Sequence, residues 1–520
     1  GAGAGAGGAG AGAGASLASC EGALDAHVPV AACAPTDGLL TIEAELPPGL
    51  AGVLKRRVIA VLRTIYLMVV LVPLAAAYPM TYWSMTDDWW WSWCVHVSET
   101  SGALLIKLAQ WASSRPDLFS EAVCDKFRHL QDNTPPHAWP FTARTLDEMF
   151  GPRWRSELRV DQTPIGSGCI AQVYRGELRQ PDGSWLPVAV KVLHPDVATH
   201  INADMDLLKF CAGLLHALPR VRWLNPSGMV EEFTSMLVRQ LDLRVEAANL
   251  VRFTANFADA DEATRVVFPH PIAGYVSPKV LVETYIDGEP LMVWAAKYPQ
   301  GAPERHQMMS RGIDAFCKML FTDNFFHGDL HPGNIFVTRD GELAMLDAGI
   351  AIEYTDYDHE MLIEILSCFL KYDGYAGGLK IIEHTKLQSD VSDPHGFCTK
   401  IKDMVLMARD NPTFFDQISN CISLICEAAC DHHVLMAQGF ISVALSVKVV
   451  EGAVIQIEPD AVVAPRAKAV IVREHVKRKG RNLLGRRPST GDLIEHSNKT
   501  FEKFAQEARA ASEQHAKKAG

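Results

Sequence analysis

The sequence predicts a mixed fold of the α+β class, and three observations lead to that prediction. Two strand-like segments, 165–178 and 186–193, flank a Pro-Asp-Gly turn and so indicate a hairpin. Apolar residues recur at helical spacing through most of the chain from about 200 to 458. Strand-like runs return only briefly, at 266–269 and 280–285. A strand-rich part followed by a larger helical part is therefore expected.

Composition excludes one class of partner. The 520 residues are 48% hydrophobic and 21% charged, a balance typical of globular chains that can bury a core. The net charge of −12 supplies no broad basic face, so no nucleic-acid partner is expected. The twelve cysteines include no CxxC pair, which indicates a reducing compartment. Cys421, Cys426 and Cys430 precede His432 and His433, but their apolar surroundings favour buried thiols over a zinc site.

The first 54 residues form a low-complexity segment that we expect to be disordered. Residues 1–15 are a glycine and alanine repeat that cannot build a core. No lysine or arginine occurs between Ser16 and Leu54, whereas organelle transit peptides are basic. No transit peptide is therefore recognisable in this sequence.

Residues 55–95 predict a membrane helix followed by an aromatic interface segment. A basic triplet introduces an apolar run from Val58 to Tyr78, which is long enough to cross the hydrocarbon core of a bilayer. Arg63, one or two turns inside this run, is expected to reach the headgroups. Aromatic side chains that suit a membrane interface follow, namely Tyr82, Trp83, Trp89, Trp90, Trp91 and Trp93. The alternative is a buried helix followed by an aromatic docking surface.

The segment His-Gly-Asp-Leu-His-Pro-Gly-Asn at 327–334 carries the strongest chemical signal. Asp329 lies five residues before Asn334, and Asp347 follows thirteen residues later, behind a predicted hairpin. Phosphoryl transfer needs a carboxylate near the transferred group and oxygen ligands for Mg²⁺, and this spacing offers both to one nucleotide. We therefore predict ATP and Mg²⁺ as cofactors. Asp329 is predicted to be the catalytic-loop carboxylate, and Asn334 and Asp347 to be the metal ligands.

A lysine and a glutamate upstream extend this prediction. Lys191 ends a strand-like Val-Ala-Val-Lys run, the position from which kinase-like folds clamp phosphates. Glu246 lies on a predicted helix whose apolar face is formed by Leu241, Val245 and Ala248. From that helix Glu246 is expected to reach into the cleft and orient Lys191, so both residues are predicted to be catalytic.

A glycine-containing loop and a linker are expected to hold the rest of the nucleotide. Gly166 and Gly168 allow the backbone to approach phosphates just before the first hairpin. The Leu-Val-Glu-Thr-Tyr run at 281–285 would join two lobes and offer backbone groups to adenine. The nucleotide-binding residues predicted from these segments are Ile165, Gly166, Ser167, Gly168, Cys169, Val173, Glu283 and Tyr285.

Together with the Lys-Leu-Ala-Gln motif at 107–110, these segments resemble the UbiB/AarF-domain family of atypical kinases. The resemblance covers about residues 100–459 and implies a two-lobed protein-kinase-like fold with an added N-terminal helical KxGQ extension. In that family the extension folds over the cleft and occludes a protein-substrate site. Lys107, Gln110 and Asp242 are accordingly expected to shape the nucleotide cleft.

Four positions depart from the family pattern. Ala109 replaces the glycine of KxGQ, Gln240 stands where the family has a glutamate, and Ala348 replaces the phenylalanine of the usual Asp-Phe-Gly. A glycine loop at 166–169 replaces an alanine-rich loop, and we expect it to favour ATP over ADP and to permit phosphate transfer. These departures resemble one animal and algal branch of the family. Gln240 is expected to weaken any autoinhibitory pairing with Lys107.

Six parts are predicted along the chain. They are a low-complexity segment (1–54), a membrane helix with its interface (55–95), the KxGQ extension (96–160), the N-lobe (161–288), the C-lobe (289–459) and a charged tail (460–520). The tail includes a basic segment, 466–487, which is either a solvated helix or a contact for anionic headgroups.

The resemblance implies an ATP- and magnesium-dependent atypical kinase or ATPase that supports coenzyme Q and mitochondrial lipid metabolism. The expected location is the mitochondrial inner membrane or another organelle membrane. Expected partners are that membrane and quinone-pathway lipids or lipid-modifying enzymes. A non-catalytic, ATP-dependent scaffold that presents lipids is the alternative. A small-molecule phosphotransferase shares the His-Gly-Asp pattern, but the KxGQ-like helix disfavours it.

Overall fold

The computed structural model describes most of the chain between residues 50 and 484. The described ranges are 50–82, 84–113, 123, 126–127, 136–217, 226–259, 265–330, 332–384, 391–410, 418–436, 438–458 and 464–484. Residues 1–49 of the predicted low-complexity segment, Trp83, His331 and the predicted tail beyond residue 484 lie outside the described residues.

Helices form the part of the structure that precedes the first strand. They are α1 (Leu50–Ala76), a 3₁₀ turn (Tyr78–Tyr82), α2 (Ser84–Thr100), α3 (Ala103–Ser113), α4 (Trp139–Phe150) and α5 (Trp154–Glu157). The helix α1 therefore begins before the predicted start at residue 55.

The strands form two main sheets. In chain order they are β1 (Leu158–Ser167), β2 (Ala171–Arg179), β3 (Trp185–Leu193), β4 (Val266–Val267), β5 (Pro271–Val276), β6 (Val280–Thr284), β7 (Gly288–Pro290), β8 (Phe326–His327), β9 (Ile335–Thr338), β10 (Leu343–Met345) and β11 (Ala351–Ile352). A five-stranded sheet has the order β1-β2-β3-β6-β5, and a four-stranded sheet has the order β4-β10-β9-β7. The strands β8 and β11 form a separate antiparallel pair.

Both predicted hairpins are present. The strands β2 and β3 are antiparallel, and Gly183 in their turn has φ +87°, a backbone conformation that glycine adopts without strain. The strands β9 and β10 form the second hairpin, which turns at Gly341. The strand β4 falls within the predicted N-lobe (161–288) in the sequence. In the structure it pairs in parallel with β10 and so belongs to the sheet of the C-lobe. That pairing joins distant residues, which local sequence patterns do not reveal.

The remaining helices cover the sheets and build the C-lobe. They are α6 (Val197–His216), α7 (Pro226–Gln240), α8 (Leu243–Phe257), α9 (Leu291–Ala295), α10 (Pro303–Cys317), α11 (Asp356–Leu370), α12 (Gly374–His384), α13 (Pro394–Asp410), α14 (Ile418–Asp431), α15 (Gln438–Ile457) and α16 (Ala464–Leu484). The combination of helices with antiparallel sheets confirms the α+β, kinase-like fold class. Cys421 and Cys426 are buried in an apolar cluster of the C-lobe helices.

The apolar helix α1 packs along α6 through a buried ion pair. Arg63 Nε lies 2.7 Å from Asp204 Oδ1, and the same guanidinium donates to the backbone carbonyl of Ser101. Gly102 has φ +105°, and a Cβ there would lie 3.0 Å from the Arg63 guanidinium. The prediction that Arg63 reaches lipid headgroups is therefore wrong, because its guanidinium forms an ion pair with Asp204 of α6.

The outer face of α1 remains exposed. Within the described residues, one helical stretch, Val61–Thr81, is long and apolar enough to cross a membrane by length and composition, and only 11% of its most apolar window is buried. The exposed apolar side chains of α1 are Val58, Val61, Leu62, Ile65, Tyr66, Met68, Val69 and Val72. A fully buried helix is therefore excluded. In the following aromatic segment Trp90 is buried and donates to the Leu74 carbonyl at 2.9 Å, whereas Trp89 is exposed.

Replacing Asp204 with alanine is expected to destabilise the protein by about 3–5 kcal/mol, because the Arg63 guanidinium would stay buried without its counter-ion. Denaturant unfolding measures this loss. Asp206→Ala is the matched control, since Asp206 lies exposed on the same helix. Equal stability of the two variants would contradict a structural role for the pair.

The predicted peripheral tail is partly a packed element of the C-lobe. Arg466 Nη1 lies 2.6 Å from Asp314 Oδ2 on α10, and Arg478 Nη2 lies 2.6 Å from His359 Nδ1 on α11. Ile471 and Val476 are buried between these contacts. The prediction of a peripheral segment after residue 460 is therefore wrong for α16. That prediction rested on the many charged residues of the segment and overlooked the apolar side chains that the helix buries.

Candidate active site

Three predicted residues from distant parts of the chain meet at one point between the lobes. Lys191 Nζ lies 2.8 Å from Glu246 Oε1 and 3.0 Å from Asp347 Oδ1. The lysine comes from β3, the glutamate from α8 and the aspartate from the segment after β10. The side chain of Asp347 is 51% exposed, whereas that of Glu246 is 5% exposed. The cluster is thus buried on the helix side and open where Asp347 lies.

The helix α8 fixes Glu246 against the sheet. Asp242 is its N-cap, and its carboxylate accepts hydrogen bonds from the backbone and side chain of Arg244. The buried face of this helix is formed by Leu243, Glu246, Ala247, Leu250, Phe253 and Phe257. The predicted apolar face at Leu241, Val245 and Ala248 is therefore displaced, and Glu246 lies on the buried face itself. Asp242 supports the cleft indirectly, by starting the helix that carries Glu246.

The electrostatics of the cluster follow from burial and from mutual pairing. Burial alone would lower the pKa of Lys191, but the carboxylates of Asp347 and Glu246 raise it above its ordinary value. Burial raises the pKa of Glu246, against the opposing effect of Lys191. Partial desolvation within the cleft opposes ionisation of the half-exposed Asp347, but Lys191 lowers the pKa of that carboxyl below its ordinary value. Lys191 is therefore held as a cation in the cleft.

The predicted catalytic loop is held together by His327. Its Nδ1 accepts a hydrogen bond from the Asp329 backbone N–H at 3.2 Å, and its Nε2 donates to the Leu346 carbonyl at 3.1 Å. Asn334 Nδ2 donates to the Asp329 carbonyl at 3.0 Å, and the Asn334 carbonyl accepts from the Leu346 N–H at 2.8 Å. Asp329 and Asn334 are thus tied to the residue that directly precedes Asp347.

Asp347 occupies a backbone conformation that favours Asp, Asn or Gly. Its φ is +51°, in the left-handed region. Asn249 on α8 donates to the Ala348 carbonyl at 2.8 Å and so anchors the next residue. The helix that places Glu246 thereby also places Asp347. Neither Asn249 nor the His327 ring was predicted to have a role, because the spacing of these residues gives no signal for such long-range contacts.

The glycine-containing loop connects the end of β1 to the start of β2, its antiparallel partner. Gly166 and Ser167 still belong to β1, and Gly166 pairs with Val173. Val173 lies directly opposite Lys191, so both face the same side of the sheet. Ile165 is exposed and Cys169 is buried. The turn itself is closed by a hydrogen bond from the Gly168 N–H to the Ala171 carbonyl at 2.9 Å.

Glu283 contributes its side chain to the cleft, not only its backbone. It lies opposite Ala189, two residues before Lys191, so it shares the cleft face of the sheet. Its carboxyl is buried, and Oε2 has no hydrogen-bond partner. Burial, followed by the charge of Glu246, raises its pKa above the ordinary value. Tyr285 follows the strand and stacks against the guanidinium of Arg175, 4.8 Å from the ring centre.

Replacing Glu283 with glutamine is expected to stabilise the protein at pH 8 by about 1–3 kcal/mol, because a buried charge disappears. A carboxyl with a raised pKa in the folded state contributes stability that is lost as the pH rises above its ordinary value of 4.5. The gain should therefore vanish near pH 4 and grow toward pH 8 in thermal unfolding. Glu177→Gln, at an exposed site of the same sheet, is the control. A gain that is independent of pH would contradict this account.

The KxGQ-like helix α3 reaches this cleft. The ammonium group of Lys107 contributes to the lowered pKa of Asp347. Trp111, one turn later, packs against Phe233 of α7 with ring centres 5.9 Å apart. Gln110, whose side chain the sequence also assigned to the cleft, lies on the same helix. The extension therefore lies close enough to the site to act on its charges.

The residues present fit a nucleotide with Mg²⁺. Within the described residues no group of three or more His, Cys, Asp or Glu side chains could hold a metal alone. Magnesium, however, is commonly held by one or two protein oxygens together with substrate phosphates. Asn334 and Asp347 provide such oxygens, and the buried Oγ of Ser167 and Oε2 of Glu283 lack partners. A Cβ built on Gly166 would meet open space.

Comparisons with known proteins match the part of the chain that contains the cleft. The ABC1 atypical kinase-like domain matches residues 129–376, which include Lys191, Glu246 and Asp347. A mitochondrial ABC1 family protein of Saccharomyces cerevisiae is 26% identical over 82% of this chain and 76% of that protein. A mitochondrial ABC1 family protein of Schizosaccharomyces pombe is 29% identical over 72% of this chain and 64% of that protein. A probable protein kinase UbiB of Cronobacter sakazakii is 32% identical over 52% of this chain and 50% of that protein.

Proposed function

The chain carries an ABC1/UbiB atypical kinase-like domain, and on that premise we propose that it is an ATP- and Mg²⁺-dependent kinase or ATPase. The observation that supports this most directly is the meeting of Lys191 with Glu246 and Asp347 at 2.8 and 3.0 Å. Ionisable groups in a cleft whose pKa values are shifted by burial and by one another are typical of functional sites.

Each residue has a distinct role in this proposal. Lys191 would bind phosphate oxygens, and Glu246 would keep the lysine side chain in the cleft. Asn334 and Asp347 would hold Mg²⁺, which would neutralise charge on the phosphate groups. Asp329 accepts the proton of the attacking hydroxyl group or water.

The location and pathway belong to the same proposal. The two fungal relatives named above are mitochondrial proteins, which supports a mitochondrial location for this chain. The resemblance to the UbiB/AarF-domain family implies coenzyme Q and mitochondrial lipid metabolism, and we propose that the chain acts there at the inner membrane. Quinone-pathway lipids or the enzymes that modify them are then the partners.

Membrane attachment through α1 would also involve α6. The Arg63–Asp204 ion pair joins the two helices. If α1 enters a bilayer, α6 is therefore brought to the membrane surface with it. The neighbour is suited to this, because Phe210, Leu214 and Leu215 of α6 are exposed. The apolar surfaces of both helices therefore contact the lipid in this proposal.

A non-catalytic scaffold is the second candidate, and the position of α3 favours it. Lys107 contributes to the lowered pKa of Asp347, and in the family that this chain resembles the extension occludes a protein-substrate site. A site closed in this way can bind ATP to control partner contacts without transferring phosphate to protein.

Nucleotide binding and phosphate release decide between the two. ATP affinity is measured with Mg²⁺ and with EDTA, and phosphate release is measured with and without vesicles that contain anionic lipid. The proposed enzyme binds ATP more tightly with Mg²⁺ and releases phosphate faster on vesicles. ATP binding without turnover under any of these conditions supports the scaffold. No binding of ATP would overturn both.

A further inference from the structure

A continuous chain of hydrogen bonds runs from the segment before α4 to the glycine-containing loop. His137 Nδ1 lies 2.8 Å from His194 Nδ1, and His194 Nε2 lies 2.8 Å from the Gly168 carbonyl oxygen. On its other side, His137 Nε2 lies 2.8 Å from Thr142 Oγ1, which lies 2.6 Å from the Tyr174 hydroxyl. These groups lie beside the cleft, outside the cluster around Lys191.

The amide of Gln172 fixes the first end of this chain. Its Oε1 accepts from the His137 backbone N–H at 2.9 Å, and its Nε2 donates to the His137 carbonyl at 3.2 Å. The same Nε2 group donates to the Tyr174 hydroxyl oxygen. Gln172, Tyr174 and Thr142 are fully buried, so none of them can turn to water instead. The Tyr174 hydroxyl hydrogen is therefore left to point toward Thr142.

The Gly168 carbonyl fixes the other end, because it can only accept. His194 Nε2 must therefore carry a hydrogen, which leaves Nδ1 of a neutral His194 as an acceptor. His137 Nδ1 then donates to it, and His137 Nε2 accepts from Thr142. Both ends thus impose the same direction of donation. Every donor meets an acceptor only when both imidazoles are neutral.

Protonation of His194 would set two N–H groups against each other. Protonation of His137 at Nε2 would leave a hydroxyl hydrogen of Thr142 or Tyr174 without an acceptor. Apart from each other, the groups that contact the rings, among the described residues, are the Thr142 hydroxyl and the Phe141 ring of α4 and the Gly168 carbonyl. None of these carries a charge that would stabilise an imidazolium. Burial, reinforced by His194, lowers the pKa of His137 to about 4, and burial also lowers the pKa of His194.

His194 is well placed to control the nucleotide loop. Its backbone N–H donates to the Ile170 carbonyl at 2.8 Å while its side chain holds the Gly168 carbonyl. It lies three residues after Lys191 in the sequence. One residue therefore fastens both ends of the turn to the end of the strand that carries the phosphate-binding lysine.

We propose that His194 and His137 are positioning residues that hold the glycine-containing loop ready for the nucleotide phosphates. Through them the segment that joins the N-terminal extension to α4 is coupled to nucleotide binding. The inference rests on the proposed function in one respect, since it assumes that the ligand of this loop is a nucleotide.

Hydrogen exchange of nucleotide-free protein tests the loop directly. In His194→Ala the amides of residues 168–171 should exchange at least about tenfold faster, because a buried hydrogen bond to the loop is lost. His194→Gln, whose amide can donate to the Gly168 carbonyl, should restore slow exchange. His200→Ala is the matched control, since His200 is exposed one turn into α6. Unchanged exchange in folded His194→Ala would overturn the proposal, as would a folded glutamine variant whose loop exchanges as fast as that of His194→Ala.

A pH profile separates positioning from a merely structural role. ATP affinity of the wild-type protein should fall as the pH decreases from 6.5 toward 4, because protonation of His137 breaks the chain. Because Glu246 and the terminal phosphate of ATP also take up protons in this range, the measured quantity is the difference between two profiles. His137→Asn, which lacks the imidazole, should lose less ATP affinity on acidification than the wild type. Equal losses in the two proteins would overturn the assignment of His137. If ATP does not bind at all, the proposed function fails, while the exchange experiment still decides the role of His194.

Discussion

Replacing Asp347 with asparagine is expected to lower ATP turnover by more than about 100-fold while the protein stays folded. A metal ligand contributes several kcal/mol to stabilising charge in phosphoryl transfer, and each 1.4 kcal/mol is about tenfold in rate. Asparagine keeps the size of the side chain and tolerates the left-handed backbone at φ +51°. The effect therefore reports the lost charge and not strain.

The structure supplies a control in the same hairpin. Asp340 lies exposed in the turn between β9 and β10, so Asp340→Asn should leave turnover unchanged. Thermal unfolding of both variants checks that each protein stays folded. If the Asp347→Asn variant turned over ATP at the wild-type rate, the prediction that Asp347 is a metal ligand would be contradicted.

Replacing Lys191 with methionine is expected to weaken ATP binding by about 10–100-fold and to destabilise the fold by about 3–5 kcal/mol. The first effect is the loss of charged contacts to phosphate. The second arises because Glu246 would remain buried beside Asp347 and Glu283 without a cation. Since burial raises the pKa of Glu246, the deficit in stability should be largest above pH 7 and shrink toward pH 5, where the carboxyl takes up a proton.

A double variant separates these two effects. Lys191→Met with Glu246→Gln removes both charges, so stability should recover while ATP affinity stays low. Lys279→Met is the control, because Lys279 lies in the turn before β6 and pairs at 3.7 Å with Glu148 of α4, outside the Lys191 cluster. Recovery of ATP affinity in the double variant would show that Lys191 serves only to neutralise Glu246.

The elements closest to the nucleotide cleft could be predicted from sequence because their signals are local. The hairpins turn at Asp-Gly pairs, and the β3 strand has the β-branched residues that strands favour. The spacing of Asp329, Asn334 and Asp347 was a local pattern too. Which face of α8 is buried was not a local property, since it depends on helices and strands brought from elsewhere. The buried face runs along Leu243, Ala247 and Leu250, and not along Val245 and Ala248.

The amino-acid sequence by itself determined which residues are available for phosphate and metal chemistry, and in what order they follow along the chain. Only the tertiary structure decided how charged and polar groups pair across long separations. It joined Arg63 to Asp204 and Arg478 to His359, and it turned the Glu283 side chain toward Lys191. The physical reason is that burial makes an unpaired charge or polar group costly, so partners are chosen by the packing of whole elements. That choice has no signature within a short stretch of sequence.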